Sequence, residues 1–118
     1  MKKYLFILRQ APYSSYQNLE AIETALALAT FMQKVSLLFI ENGVLQLLRD
    51  QNANLIRHKQ FTQAYAGLNL FDIKDVFVSN TALNQFGLRK EDLNSNITII
   101  NNSQIATLMQ QNDIVITI

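Results

Sequence analysis

Apolar residues fall along this chain in short runs that alternate with helical patterns. The runs are Tyr4 to Leu8, Val35 to Ile40, Val76 to Val78, Ile97 to Ile100 and Ile114 to Ile118. A mostly unbroken run of this length suits a strand buried on both faces, as in a parallel sheet, whereas a half-solvated strand would alternate. Strands are therefore predicted near residues 3–8, 34–40, 75–79, 97–100 and 114–118.

The segments between them carry helix signals. Gln10 to Ser15 reads as a loop holding the only proline, Pro12, and Ser14 with Gln17 resembles a capping box. From Leu19, apolar residues recur at Ile22, Leu26 and Ala29, one helical face, which predicts a helix over about residues 16–31. Glu41-Asn42-Gly43 turns the chain, and Val44, Leu45, Leu47 and Leu48 predict a short helical piece. Asp50 to Lys59 is polar and reads as a surface loop. Phe61 to Leu68 reads as a helix with Gly67 near its end. Thr81 to Phe86 predicts a short helix closed by Gly87. Leu88 to Asn96 reads as a polar connection. Ser103 is placed to cap a helix carrying Ile105, Leu108 and Met109. Strands and helices alternating in this way predict an α/β domain, three-layer α/β/α, with a five-stranded mainly parallel sheet. The 118 residues fit one such domain, spanning 1–118.

Composition narrows the chemistry. There is no cysteine, which removes disulfides, thiolate chemistry and cysteine-ligated metals. A net charge of +1 with 16% charged residues gives no general pull toward nucleic acid. The longest apolar run is far too short to span a bilayer. Met1 to Arg9 imitates a signal peptide briefly, but Arg9 and Gln10 break it and no cleavage site follows, so a cytoplasmic protein is expected.

In a parallel sheet a site is expected beyond the carboxyl ends of the strands, here 9–15, 41–44, 79–81 and 101–103. The three glycines, at 43, 67 and 87, form no phosphate loop. The single histidine, His58, lies in Arg57-His58-Lys59, either a solvated basic loop or a contact for an acidic partner or tRNA phosphate. No Gly-x-Ser-x-Gly elbow accompanies it. Asp72 and Asp75 precede the third strand and read as turn residues. Glu41 follows the second strand and reads as a polar loop residue or, alone, a general base. One histidine and scattered carboxylates make no metal site, and no cofactor is expected. Ser79 and Asn80 directly follow the third strand, either as a helix N-cap or as a reactive position.

Several stretches, taken in order, resemble the DsrE/DsrF family. They are Ala11-Pro12, Glu20-Ala21, Leu37 to Leu48, Gly67 to Ile73, Val76-Phe77-Val78, Ala82-Leu83 with Gly87-Leu88, and Asn112 to Ile116. The most specific is Phe39-Ile40 with Gly43-Val44 and Gln46-Leu47-Leu48. The resemblance implies a subunit of a sulfur-relay hetero-oligomer, a dimer of heterotrimers with TusB-like and TusD-like partners. That assembly passes persulfide sulfur to a TusE-like acceptor, toward 2-thiouridine at the tRNA wobble position, so tRNA is met only indirectly and no membrane is involved. The sulfur-carrying cysteine of the family lies after the third strand. Counting back from Gly87, its place here is taken by Ser79, which implies a supporting, non-enzymatic part. The alternatives are a flavodoxin-like ligand-binding domain using the loops after the first three strands, and a homo-oligomeric DsrF-like protein with no relay role.

Overall fold

A computed structural model of the chain describes residues 2–10, 20, 23–25, 27–28, 31, 34–47, 75–93 and 97–118. Its strands are β1 (Lys3–Leu8), β2 (Lys34–Phe39), β3 (Asp75–Ser79), β4 (Thr98–Ile100) and β5 (Ile114–Thr117). They form one sheet in the order β4-β3-β2-β1-β5, and every neighbouring pair is parallel. The continuous apolar runs of β1 and β2 are explained by this order, because both strands lie inside the sheet and are buried on both faces from Leu5 and Val35 onward.

Alternation along the strands builds two cores. Phe6, Leu8, Val35, Leu37, Phe39, Val76 and Val78 point to one face. Ala25 and Leu28 cover that face, as do Val44 and Leu47 of a 3-10 helix (Glu41–Leu47) and Ala82 and Leu83 of helix α1 (Asn80–Phe86). Leu5, Ile7, Leu38 and Ile100 point to the other face, where Ile105 and Leu108 of helix α2 (Asn102–Gln111) meet them. Each fully buried Leu or Phe contributes about 1.5–3 kcal/mol, so both faces hold the sheet. With helices on both faces, the architecture is the expected three-layer α/β/α.

Glu20, Glu23, Thr24, Ala25, Ala27 and Leu28 are helical, as the spacing predicts, and Thr24 Oγ1 donates to the Glu20 carbonyl at 2.8 Å. The Ser14 cap, the 50–59 loop and the 61–68 helix lie outside the described residues. Two expectations change. Helix α2 is capped by Asn101, not Ser103: Asn101 Oδ1 accepts from the Gln104 N–H at 2.9 Å, and Gln104 Oε1 accepts from the Asn101 N–H at 2.8 Å. This reciprocal box satisfies two free donors at once, which a serine inside the first turn could not do. Met109 of that helix is 42% exposed. The polar stretch after Gly87 hides a core residue, since Leu93 is 1% exposed and joins the first core beyond a 3-10 turn (Lys90–Asp92).

Candidate functional site

Helices α1 and α2 leave adjacent strands, β3 and β4, and pack on opposite faces of the sheet. The chain therefore parts at the carboxyl ends of β3 and β4 and leaves a crevice there, the place where open α/β sheets bind ligands. Sequence alone could not locate it, because it depends on strand order.

Ser79 ends β3 in register with Ile100 of β4. It is 5% exposed and its Oγ accepts from the Ala82 N–H at 3.2 Å, so it caps α1. The backbone at Ser79 is extended, as an N-cap requires. Gly87 closes the same helix at φ 64°, with its N–H on the Asn84 carbonyl at 3.2 Å and the Leu88 N–H on the Leu83 carbonyl at 2.9 Å. Across the crevice, Thr81 Oγ1 lies 3.4 Å from Asn102 Oδ1. The two helix starts thus bring together Ser79, Asn80, Thr81, Asn101 and Asn102. They offer hydroxyls and amides, with neither a thiol nor an ionisable base among them. Beside Asn101, an open groove of about 560 Å³ runs between α2 and the β3–β4 edge, lined by Phe77, Thr98, Ile100, Gln104 and Leu108 among others. No sequence signal marked it, since its residues come together only through the path of α2.

The other strand ends are locked by packing. Glu41 is exposed and adopts φ 51°, which turns the chain from β2 into the 3-10 helix. Gly43 then lies against the end of β1: a Cβ there would sit 2.0 Å from the Leu8 carbonyl oxygen. Gln46 is wholly buried and its Nε2 donates to the Gln10 carbonyl at 2.8 Å. This side chain was missed as a structural residue, although a glutamine set among Val44, Leu45, Leu47 and Leu48 was the available signal. It clamps the loops after β1 and β2 together, which explains why glycine and glutamine occur together in that stretch.

Asp75 begins β3, at the end of the sheet opposite Ser79, in register with Ser36. It belongs to no site at the crevice. Arg57, His58, Lys59 and Asp72 lie outside the described residues. Among the described residues, no group of three or more histidine, cysteine, aspartate or glutamate side chains could hold a metal ion, and no helix is long and apolar enough to cross a membrane.

An open five-stranded parallel sheet with an uncharged crevice where β3 and β4 end defines the class. The chain belongs to the DsrE/DsrF-like family, whose model matches residues 2–118. Among its relatives, the protein TusC homolog of Pseudomonas aeruginosa is 32% identical over 114 residues, covering 97% of this chain and 96% of that one. The intracellular sulfur oxidation protein DsrF of Allochromatium vinosum is 30% identical over 129 residues, covering 98% and 95%. The crystal structure of the ychN protein from E. coli superposes with a TM-score of 0.86 over the full length of both chains at 21% identity, a likeness of fold.

Proposed function

We propose that this chain is a non-catalytic subunit of a sulfur-relay assembly that serves 2-thiolation of the tRNA wobble uridine. In this reading it joins TusB-like and TusD-like subunits in a dimer of heterotrimers in the cytoplasm. A TusE-like acceptor takes the sulfur, and tRNA is met only through the complex. Support comes from the family, from relatives named TusC, and from one observation that carries the reading. In a chain without cysteine, the residue that ends β3 is a buried serine whose oxygen is engaged as a helix cap. A hydroxyl forms no persulfide and is a far weaker nucleophile than a thiolate. In this reading Ser79 takes the family's sulfur-carrier position as a structural residue.

The test is complementation. The chain is expressed with TusB-like and TusD-like subunits in a strain lacking TusC, and 2-thiouridine in tRNA and the mass of the complex are measured. Wild type and Ser79→Ala are both expected to restore thiolation, because losing the cap costs about 1 kcal/mol, whereas losing a nucleophile costs orders of magnitude in rate. If Ser79→Ala assembles but abolishes thiolation, the chain does chemistry. The name of the Allochromatium relative favours a second reading, sulfur oxidation, which gains if the wild-type chain enters no such complex and restores no thiolation.

A further inference from the structure

Strand β5 has the sequence of an interior strand and the position of an edge. Residues 114–118 read Ile-Val-Ile-Thr-Ile, with no charge and no proline. Such a run fits a strand flanked on both sides, as β1 and β2 are. Yet among the described residues β5 pairs only with β1, and no strand lies on its outward side. Val115 is 37% exposed and Thr117 is exposed. Natural edge strands are blunted by charge, proline, bulges or brevity. The opposite edge follows that rule, since β4 has three residues and begins at Thr98. β5, with four residues, is nearly as short, but it carries neither a charge nor a proline along its paired length.

The hydrogen-bond pattern says which groups are open. The Ile118 N–H donates to the Ile7 carbonyl at 2.8 Å, and the Ile118 carbonyl accepts from the Arg9 N–H at 3.2 Å. Backbone groups in a strand alternate in direction. Those of Ile116 therefore also face β1, and those of Val115 and Thr117 face outward, without a partner among the described residues.

We propose that β5 is a self-association surface for a second copy of this chain, paired antiparallel about a two-fold axis at Ile116. The occupant follows from self-complementarity. With the axis at Ile116, Val115 of each copy lies opposite Thr117 of the other, and each such pair exchanges both of its N–H···O=C bonds. Val115 and Thr117, both β-branched, meet on one face, and the two Ile116 side chains meet on the other. The nearest charge, Asp113, stays outside the paired stretch, where its carboxylate already accepts from the Lys3 N–H at 2.8 Å. Exposed Met109 belongs to α2, which packs on the same sheet face that Val115 shares with its register partner Leu5. The joined sheets then place β5 in the interior, as its sequence requires. A contact this short belongs to the weak class of interfaces, so the dimer forms in proportion to concentration. The inference is independent of the sulfur-relay reading, which is tested by thiolation rather than by self-association.

Sedimentation velocity of the purified chain over a concentration series, with amide hydrogen exchange at the two ends of that series, tests it. The expected result is a monomer–dimer equilibrium in which the Val115 and Thr117 amides gain protection with concentration, while the Ile116 and Ile118 amides are protected throughout. Val115→Lys should weaken the dimer at least about tenfold, because it puts a cation on the shared edge. Thr117→Pro should weaken it as well, by deleting a donor that the monomer does not use. Circular dichroism confirms that each variant is folded. A chain monomeric at all concentrations, an open polydisperse series, or a dimer in which the Val115 and Thr117 amides stay unprotected would each overturn the proposal. So would a strand from another subunit protecting these amides while the chain alone stays monomeric.

Discussion

Replacing Gly43 by alanine adds one methyl group where the fold has no room for it. The new Cβ would lie 2.0 Å from the Leu8 carbonyl oxygen, 2.7 Å from the Leu8 carbonyl carbon and 3.2 Å from the Arg9 nitrogen. A carbon–oxygen contact is comfortable at about 3.3 Å or more, so the 3-10 helix must retreat by roughly an ångström. Every obstacle is main chain, so no rotamer change relieves it. The retreat also pulls on the Ile40 N–H bond to the Leu8 carbonyl at 3.1 Å and on the Gln46 bond to Gln10. Overpacking of this kind costs about 1–3 kcal/mol, and a rigid backbone wall places Gly43→Ala near about 3 kcal/mol. For a domain of this size that lowers the melting temperature by about 10 °C, read by calorimetry or circular dichroism. Gly87→Ala is the control. Nothing lies within 4 Å of its added Cβ, and only the left-handed backbone at φ +64° opposes it. Its cost is about 1 kcal/mol. If Gly43→Ala melts within about 2 °C of wild type, or no lower than Gly87→Ala, the close approach of these two strand ends is not what holds them.

Gln46→Met keeps the volume but removes the donor to the Gln10 carbonyl, and should destabilise by about 1–2 kcal/mol in urea unfolding with an unchanged m-value. Asn101→Ala breaks the capping box and should cost about 1 kcal/mol, a loss of about 4 °C in thermal melting, whereas Ser103→Ala should leave the melting temperature within about 1 °C of wild type.

The strands were legible because burial on both faces writes itself as unbroken apolar sequence. The short helix Asn80–Phe86 was legible from its two ends, Ser79 and Gly87, which carry cap chemistry in the residue type itself. What the sequence could not carry was relative position. Asn101 and Ser103 are both capping residues, and only the path out of β4 decides between them. Leu93 looks solvated among Glu91, Asp92 and Asn94, and its burial arises from a turn that folds it under the sheet's first face. Ser79 was found by resemblance and by its place after a strand. Its crevice partners, Thr81, Asn101 and Asn102, required knowing that β4 lies beside β3. Gln46 was in view within the most specific stretch of the chain, but a buried amide and a solvated one are written with the same letter.

The pairing of β5 with β1 has a consequence for how the molecule is made. The Lys3–Asp113 bond joins residues 110 apart in the chain, while β1 meets its other neighbour, β2, far sooner. During synthesis one flank of β1 waits, apolar and unpaired, until residues 114–117 have emerged. Contacts so distant in sequence form late and slowly, because the loop entropy must be met first. The nascent chain therefore carries an open flank on β1 throughout the synthesis of the residues between β1 and β5. A pause in the codons that precede Ile114 lengthens that interval, and with it the time in which β1 can pair with the wrong neighbour.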